Sequence, residues 1–151
     1  MIIRGVIVMK IIKVCSFVAN YTHSCIVANN FISKEFDKAK VIYINENSEK
    51  EKLKKIVNKY FKNINKKIIY MEWLNEEIVN DYVNENIVLV INGSESFISK
   101  VNEYMCFIQN EILVINCYNI MDIKSNISDI IATHDYYLNS DGIQIRKDKT
   151  C

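Results

Sequence analysis

Two residue pairs in the stretch Ile112 to Gly142 carry side chains that could do chemistry: Cys117-Tyr118 directly after an apolar run, and His134-Asp135 further on. Cysteine catalysis requires an imidazole close to a partly exposed thiol, together with donors that stabilise the developing oxyanion. No segment here marks such donors, so Cys117, His134 and Asp135 are expected to be structural and no residue is assigned a catalytic role. His23 and Cys25 form an H-x-C, which Cys117 or His134 could join across a sheet edge to bind a metal. Scattered His and Cys are weak ligand signals, and a free Cys is commonly a small buried hydrophobe. Neither a metal nor a cofactor is therefore expected.

Composition narrows the classes. The 151 residues fit one domain with its own core, and a formal net charge of +1 supplies no field to draw nucleic acid or an acidic membrane. Five cysteines, at 15, 25, 106, 117 and 151, show no C-x-x-C spacing, which argues for reduced thiols and a cytoplasmic location. The N-terminal apolar stretch superficially resembles a signal peptide. Lys10 and Lys13 interrupt it, and it is too short to span a bilayer. Residues 1–9 are read as an extension or the start of the first strand, with Met9 an alternative start, 10–146 as one domain and 147–151 as a tail. Ile, Asn and Lys are abundant, Pro is absent, and Gly occurs at 5, 93 and 142. That bias is read as an AT-rich coding imprint with little functional weight.

Short apolar runs recur between segments of helical period, the pattern of buried parallel strands covered by helices. The expected strands are Ile11–Val18, Val41–Ile44, Lys67–Met71, Ile87–Ile91, Ile112–Asn116 and Ile143–Arg146. The clearest helix follows a Ser48/Glu51 capping box, with Leu53, Ile56, Val57, Tyr60 and Phe61 on one face. After "NGSES", Phe97, Ile98, Val101, Met105 and Ile108 trace another helix, capped by Ser94, whose free amides could hold an anion. A loop at Cys117–Met121 then leads to a helix carrying Ile123, Ile127, Ile130 and Ile131, ending near His134. The fold class is α/β: a single-domain three-layer sandwich with a mostly parallel sheet of five to six strands, RecA/Rossmann-like.

In nucleotide-binding folds of the RecA type a glycine-rich loop after the first strand wraps the phosphates. The corresponding link here, Asn20 to Ser24, has no glycine and no following lysine. In open α/β sheets ligands bind at the carboxyl ends of the strands, so the expected ligand-binding residues are Asn20, Tyr21, His23, Ser94 and Tyr118. Trp73, Tyr104, Tyr136 and Tyr137 could line an apolar pocket or sit in the core or rim.

The order of "THSC…FISKEFDKAKVIYINENSEKEKLKKIV", "VLVINGSESFISKVNEYM" and "VINCYNIMDIKSNISDIIATHDYYLNSDGIQI" resembles a MEDS domain, the methanogen/methylotroph DcmR-type sensory domain. That family is similar in fold to the RecA class without a working phosphate loop. Tyr118 matches the tyrosine of its Cys-x-Tyr signature, and His134 the histidine of its His-Pro pair. The cysteine here is adjacent to Tyr118, Asp135 replaces the proline, and the usual helical insertion is shortened around Trp73 to Asn86. The resemblance implies a cytoplasmic, non-enzymatic sensory domain that binds a small organic ligand and passes a signal to a regulatory protein partner, with a homodimer allowed. It implies no direct contact with nucleic acid or membrane. A degenerate RecA-like ATPase or other nucleotide-binding protein, and a protein-interaction module, are the alternatives.

Overall fold

The computed structural model describes residues 2–3, 6–7, 11–35, 40–46, 50–60, 68–80, 86–107, 112–139 and 144–146. Met9, Lys10, Ser48, Phe61, Lys67, Ile108, Gly142, Ile143 and the 147–151 tail, all named above, lie outside them. Two short strands, β1 (Ile2–Ile3) and β2 (Val6–Ile7), pair antiparallel with each other, separately from the main sheet.

The main sheet is built from β3 (Ile11–Val18), β4 (Lys40–Asn45), β5 (Ile68–Met71), β6 (Ile87–Gly93), β7 (Ile112–Asn119), β8 (Tyr136–Leu138) and β9 (Gln144–Arg146). Their order is β5-β4-β6-β7-β3-β8-β9. The first six are parallel and β9 closes one edge antiparallel to β8. The α/β sandwich and its mainly parallel sheet are as the apolar runs predict. A sheet buried on both faces needs near-continuous apolar strands, and every residue of β6 before Gly93 is buried.

The connections reverse direction along the sheet. The helices α1 (Tyr21–Glu35) and α2 (Lys50–Tyr60) carry the chain from β3 over to β4 and on to edge strand β5. Then α3 (Glu76–Asn80), α4 (Glu95–Glu103) and α5 (Ile127–Ala132) carry it back toward β8. Right-handed crossovers of opposite direction place their helices on opposite faces, and the core divides accordingly. Cys25, Ala28, Phe31 and Ile32 of α1 and Ile56 of α2 pack with Val14, Tyr43, Val90, Ile115 and Cys117. Val79 of α3, Ile98 and Val101 of α4, and Ile130 of α5 pack with Cys15, Ile44, Ile91, Val114 and Tyr118.

Several boundaries differ from the expectation. The helix α1 begins at Tyr21, so the link after β3 is only Ala19-Asn20 rather than a loop to Ser24. Strand β7 continues to Asn119, so Cys117 and Tyr118 belong to the sheet, where β3 and β6 supply partners for their backbone on both sides. A short 3-10 turn at Ile120–Asp122 precedes α5, which leaves Ile123 outside the helix. Strand β8 was not anticipated, because three residues of Tyr-Tyr-Leu are too brief for a periodic signal.

Candidate functional site: the carboxyl edge of the sheet

Among the described residues, asparagine side chains organise the links that leave β3, β5 and β7 at the carboxyl edge. Asn20 accepts from the His23 N–H (2.9 Å), Asn75 from Ile78 N–H (3.2 Å), Asn119 from Met121 N–H (3.1 Å) and Asn126 from Ser128 N–H (2.9 Å). Such side-chain oxygens satisfy amides that a helix start leaves without intrahelical partners. His23 completes the cap of α1 by accepting from the Ala19 N–H through Nδ1 (3.2 Å). It therefore has a local structural job. The side chain of Tyr21 lies outside the described residues.

Ser94 is the N-cap of α4, accepting from the Phe97 N–H at 3.3 Å. The capped turn is observed, and the helix start that could hold an anion already has one from the chain itself. Glu46, just past β4, accepts from the Ser94 N–H at 2.7 Å and from the Ser94 hydroxyl at 3.1 Å. Favourable charge at the positive end of α4 is thus already in place. Glu95, next in sequence, accepts from the Lys124 and Ser125 amides at 3.1 and 3.0 Å and from the Ser125 hydroxyl. That hydroxyl and the Ser125 amide hold its carboxyl below the ordinary glutamate value.

Gly93 lies between these groups. A Cβ there would stand 2.8 Å from Glu46 Oε1 and Phe97 Cδ2 and 2.9 Å from Glu46 Cβ. Gly93→Ala should displace Glu46 from Ser94 and cost about 2 kcal/mol through overpacking. The checks are the urea midpoint and the Ser94 amide resonance; an unchanged resonance would refute the close approach.

A recess opens between the ends of β3, β4, β6 and β7, bordered by Asn20, Glu46, Asn92, Asn119 and Asp122, with a volume of about 40 Å3. It adjoins a groove of about 570 Å3 along the start of α4, bordered by Ser94, Ser96, Ser99, Met121, Asp122 and Lys124. Glu46 and Asp122 line both. The deepest polar group of the recess is Asn92, which is 2 % exposed. Its Oδ1 accepts from the Ser24 hydroxyl, and its Nδ2 has no partner among the described residues. Of the expected ligand residues, Asn20 and Ser94 line the recess and groove, His23 is occupied as a cap, and Tyr118 faces elsewhere.

Alternation along β7 explains where Tyr118 and the two C-terminal pairs go. Cys117 points toward α1, where it contacts Ser24, while Asn116 and Tyr118 point toward α4 and α5. His134 meets Asn116 and Tyr118, so Cys117 and His134 lie on opposite faces of the sheet. The geometry excludes a Cys117/His134 dyad. Burial pushes the Cys117 thiol up to about 12, against a small lowering by Ser24. Cys15 and Cys25 are likewise pushed up to about 12, chiefly by burial. No group of three or more His, Cys, Asp or Glu side chains placed to hold a metal occurs among the described residues. Alkylation at pH 7.5, read by peptide mass, should modify Cys15, Cys25 and Cys117 at least about a hundredfold more slowly in the folded protein than in denaturant. Fast labelling of Cys117 alone would restore it as a nucleophile.

His134 is 5 % exposed and sits in a polar chain whose direction the backbone sets. Its Nδ1 lies 2.7 Å from the Ile130 carbonyl, which can only accept, so Nδ1 carries the proton. Nε2 is then the acceptor for Asn116 Nδ2 at 3.0 Å and for the Tyr118 hydroxyl at 3.4 Å. Asn116 Oδ1 in turn accepts from Asn102 Nδ2 (3.0 Å), which also donates to the Ile98 carbonyl (2.7 Å). This chain ties α4 to α5 across β7. It lines a groove of about 380 Å3 that Lys13, Ser99 and Glu103 also border. Asp135 fixes the neighbouring turn: its carboxylate accepts from the Lys13 N–H (2.9 Å), and its own N–H donates to the Lys13 carbonyl (2.8 Å).

The sequence reading puts Asn92 and Gly93 in the turn after the strand, whereas both belong to β6, and it gives Asn45, Asn116 and Asn119 no role because asparagine abundance is read as coding bias. A signal was present, because three strands contain the similar runs "IYIN", "LVIN" and "LVIN", each an apolar stretch followed by asparagine. In register Asn45 lies beside Asn92, and Asn92 beside Cys117. Asn116 is therefore displaced by one residue and faces the other side of the sheet.

No helix among the described residues is long and apolar enough to cross a membrane. Compared with known proteins, the chain matches no family model and no curated protein.

Proposed function

We propose that this chain is a non-enzymatic, ligand-binding signalling domain of MEDS type, which receives a small organic molecule at the carboxyl edge of its sheet. The observation that carries the reading is the recess between Asn20 and Asn119, with a buried, unpartnered amide nitrogen on Asn92 and an open groove beside it. Crevices where the direction of the connections reverses are the usual ligand sites of open α/β sheets. Asn20, Glu46, Asn92, Asn119 and Asp122 give the recess a polar border, which suits a small ligand with polar groups of its own. The absence of an accessible thiol among Cys15, Cys25 and Cys117 supports a role in binding rather than nucleophilic catalysis.

A nucleotide-binding reading has less support, since two residues without glycine separate β3 from α1. Ile120, Met121 and Ile127, exposed by 48 %, 83 % and 40 %, form an apolar surface beside the groove where a regulatory protein could read its occupancy. Thermal-shift screening with small organic molecules tests the proposal. Stabilisation that disappears in Asn92→Leu supports it. A screen in which hits stabilise the variant and the parent equally, or in which nothing stabilises the parent, refutes it.

A further inference from the structure

Strand β3 carries a lysine where its neighbours on the same face are apolar. Alternation places Lys13 with Ile11, Cys15 and Phe17 on the side of the sheet that α4 and α5 cover, and those three pack into the core there. A charged side chain beneath a helix layer is rare unless it is paired. Yet the Lys13 ammonium makes neither an ion pair nor a hydrogen bond among the described residues, and Asp135 meets only the Lys13 backbone. The shortness of α5 explains how the charge is tolerated. Its six residues make a helix of about 9 Å, whereas the eight residues of β3 extend over roughly 26 Å. The chain drops from the end of α5 into the sheet beside Lys13, and the space between that turn and α4 stays open as the groove of about 380 Å3.

The walls of this groove select what can enter it. Ser99, Asn102 and Glu103, three and four residues apart, present one flank of α4, and Thr133 stands opposite. Asn102 Nδ2 donates to the Ile98 carbonyl and to Asn116, Asn116 Nδ2 to His134 and Asn102, and the Thr133 hydroxyl to the Ile130 carbonyl. Among the described lining residues this leaves Lys13, with one positive charge, and the Ser99 hydroxyl to donate to a ligand. A monoanion neutralises Lys13, whereas a dianion would carry surplus negative charge beside Glu103. Glu103 is exposed, so water screens it, while Lys13 is partly buried and keeps more of its field. Thr133 Oγ1 and the Glu103 carboxylate retain lone pairs that suit a hydroxyl on the same ligand. The volume lies within the range of small-molecule sites.

We propose that the groove between α4 and α5 binds a small hydroxy monocarboxylate, with Lys13 as the ion-pair partner of its carboxylate. This site is distinct from the recess at the carboxyl edge: of the described residues lining the groove at the start of α4, it shares only Ser99. Neither reading depends on the other. Lactate, lactamide and inorganic phosphate are titrated separately at pH 7 into 15N-labelled full-length protein, with the backbone amides of Lys13, Asn102 and Thr133 as reporters. Lactate should shift these resonances and saturate at least about fivefold more tightly than lactamide or phosphate. Lys13→Met, which keeps the side-chain length without the charge, should abolish the preference for lactate over lactamide, and Lys13→Arg should retain it. Lactamide or phosphate binding as tightly as lactate to the parent protein would overturn the proposal. So would an unchanged lactate affinity in Lys13→Met, or reporters unmoved by all three probes. The comparison of the three probes on the parent protein decides the matter by itself if the methionine variant does not fold.

Discussion

Raising the pH from 7 to 10 should lower the unfolding free energy by roughly 3–4 kcal/mol, because Cys15, Cys25 and Cys117 are buried as neutral thiols. Their folded values lie at about 12, against an ordinary thiol value of 9.0. The sign follows from the direction of the shift. Below the ordinary value both folded and unfolded chains hold protonated thiols, and the full stability is present. As pH rises above it the unfolded chain ionises while the folded one does not, so stability is lost progressively toward about pH 12. At pH 10 each thiol contributes up to about 1.4 kcal/mol of this loss. Urea unfolding at pH 7 and pH 10 measures it. The triple variant Cys15→Ala, Cys25→Ala, Cys117→Ala should have lower stability at pH 7 from the lost packing, yet a much flatter dependence on pH. An equally steep dependence in the variant would assign the loss to other groups, with the buried Tyr43 hydroxyl, also held well above its ordinary value by burial, the first to test.

Asn116→Leu should destabilise the fold by about 3 kcal/mol, which for a domain of this size lowers Tm by about 9 °C. Leucine matches asparagine in shape but withdraws both ends of the amide. His134 Nε2 then loses its 3.0 Å donor and keeps the long contact to Tyr118, while Asn102 Nδ2 loses Asn116 and keeps the Ile98 carbonyl. A half-satisfied buried network costs more than either a complete one or an apolar replacement. Accordingly, adding His134→Leu to Asn116→Leu should cost much less than the sum of the two single changes, a coupling of at least about 1 kcal/mol in a double-mutant cycle. Strict additivity would mean that the chain from Ile98 to Ile130 does not act as a unit.

The layered fold was legible because strand burial writes itself into composition. Runs such as Val41–Ile44 and Ile87–Ile91 have no polar position, as two covered faces demand. Direction and register were less legible. Whether Cys117 or Tyr118 faces α1 depends on a single residue of phase, and no periodic signal in an all-apolar strand reports that phase. That one residue of phase puts Cys117 and His134 on opposite faces of the sheet, and it leaves His134 and Asp135 in contact with Ile130 and Lys13. Ser94 as a cap was readable from "NGSES". Its partner was not, since Glu46 lies 48 positions away and only the pairing of β4 with β6 brings it to the start of α4. Asn92 could be suspected only by noticing that an asparagine follows the apolar run in each of three buried strands.

Crystallographic soaking with a mixed library of small polar fragments tests the assignment of the carboxyl edge most directly. The account predicts fragment density in the recess between Asn20 and Asn119, against Asn92 and extending along α4. Fragments that gather on the exposed Trp73 and Tyr104 rings, with the recess empty of everything but water, would contradict it.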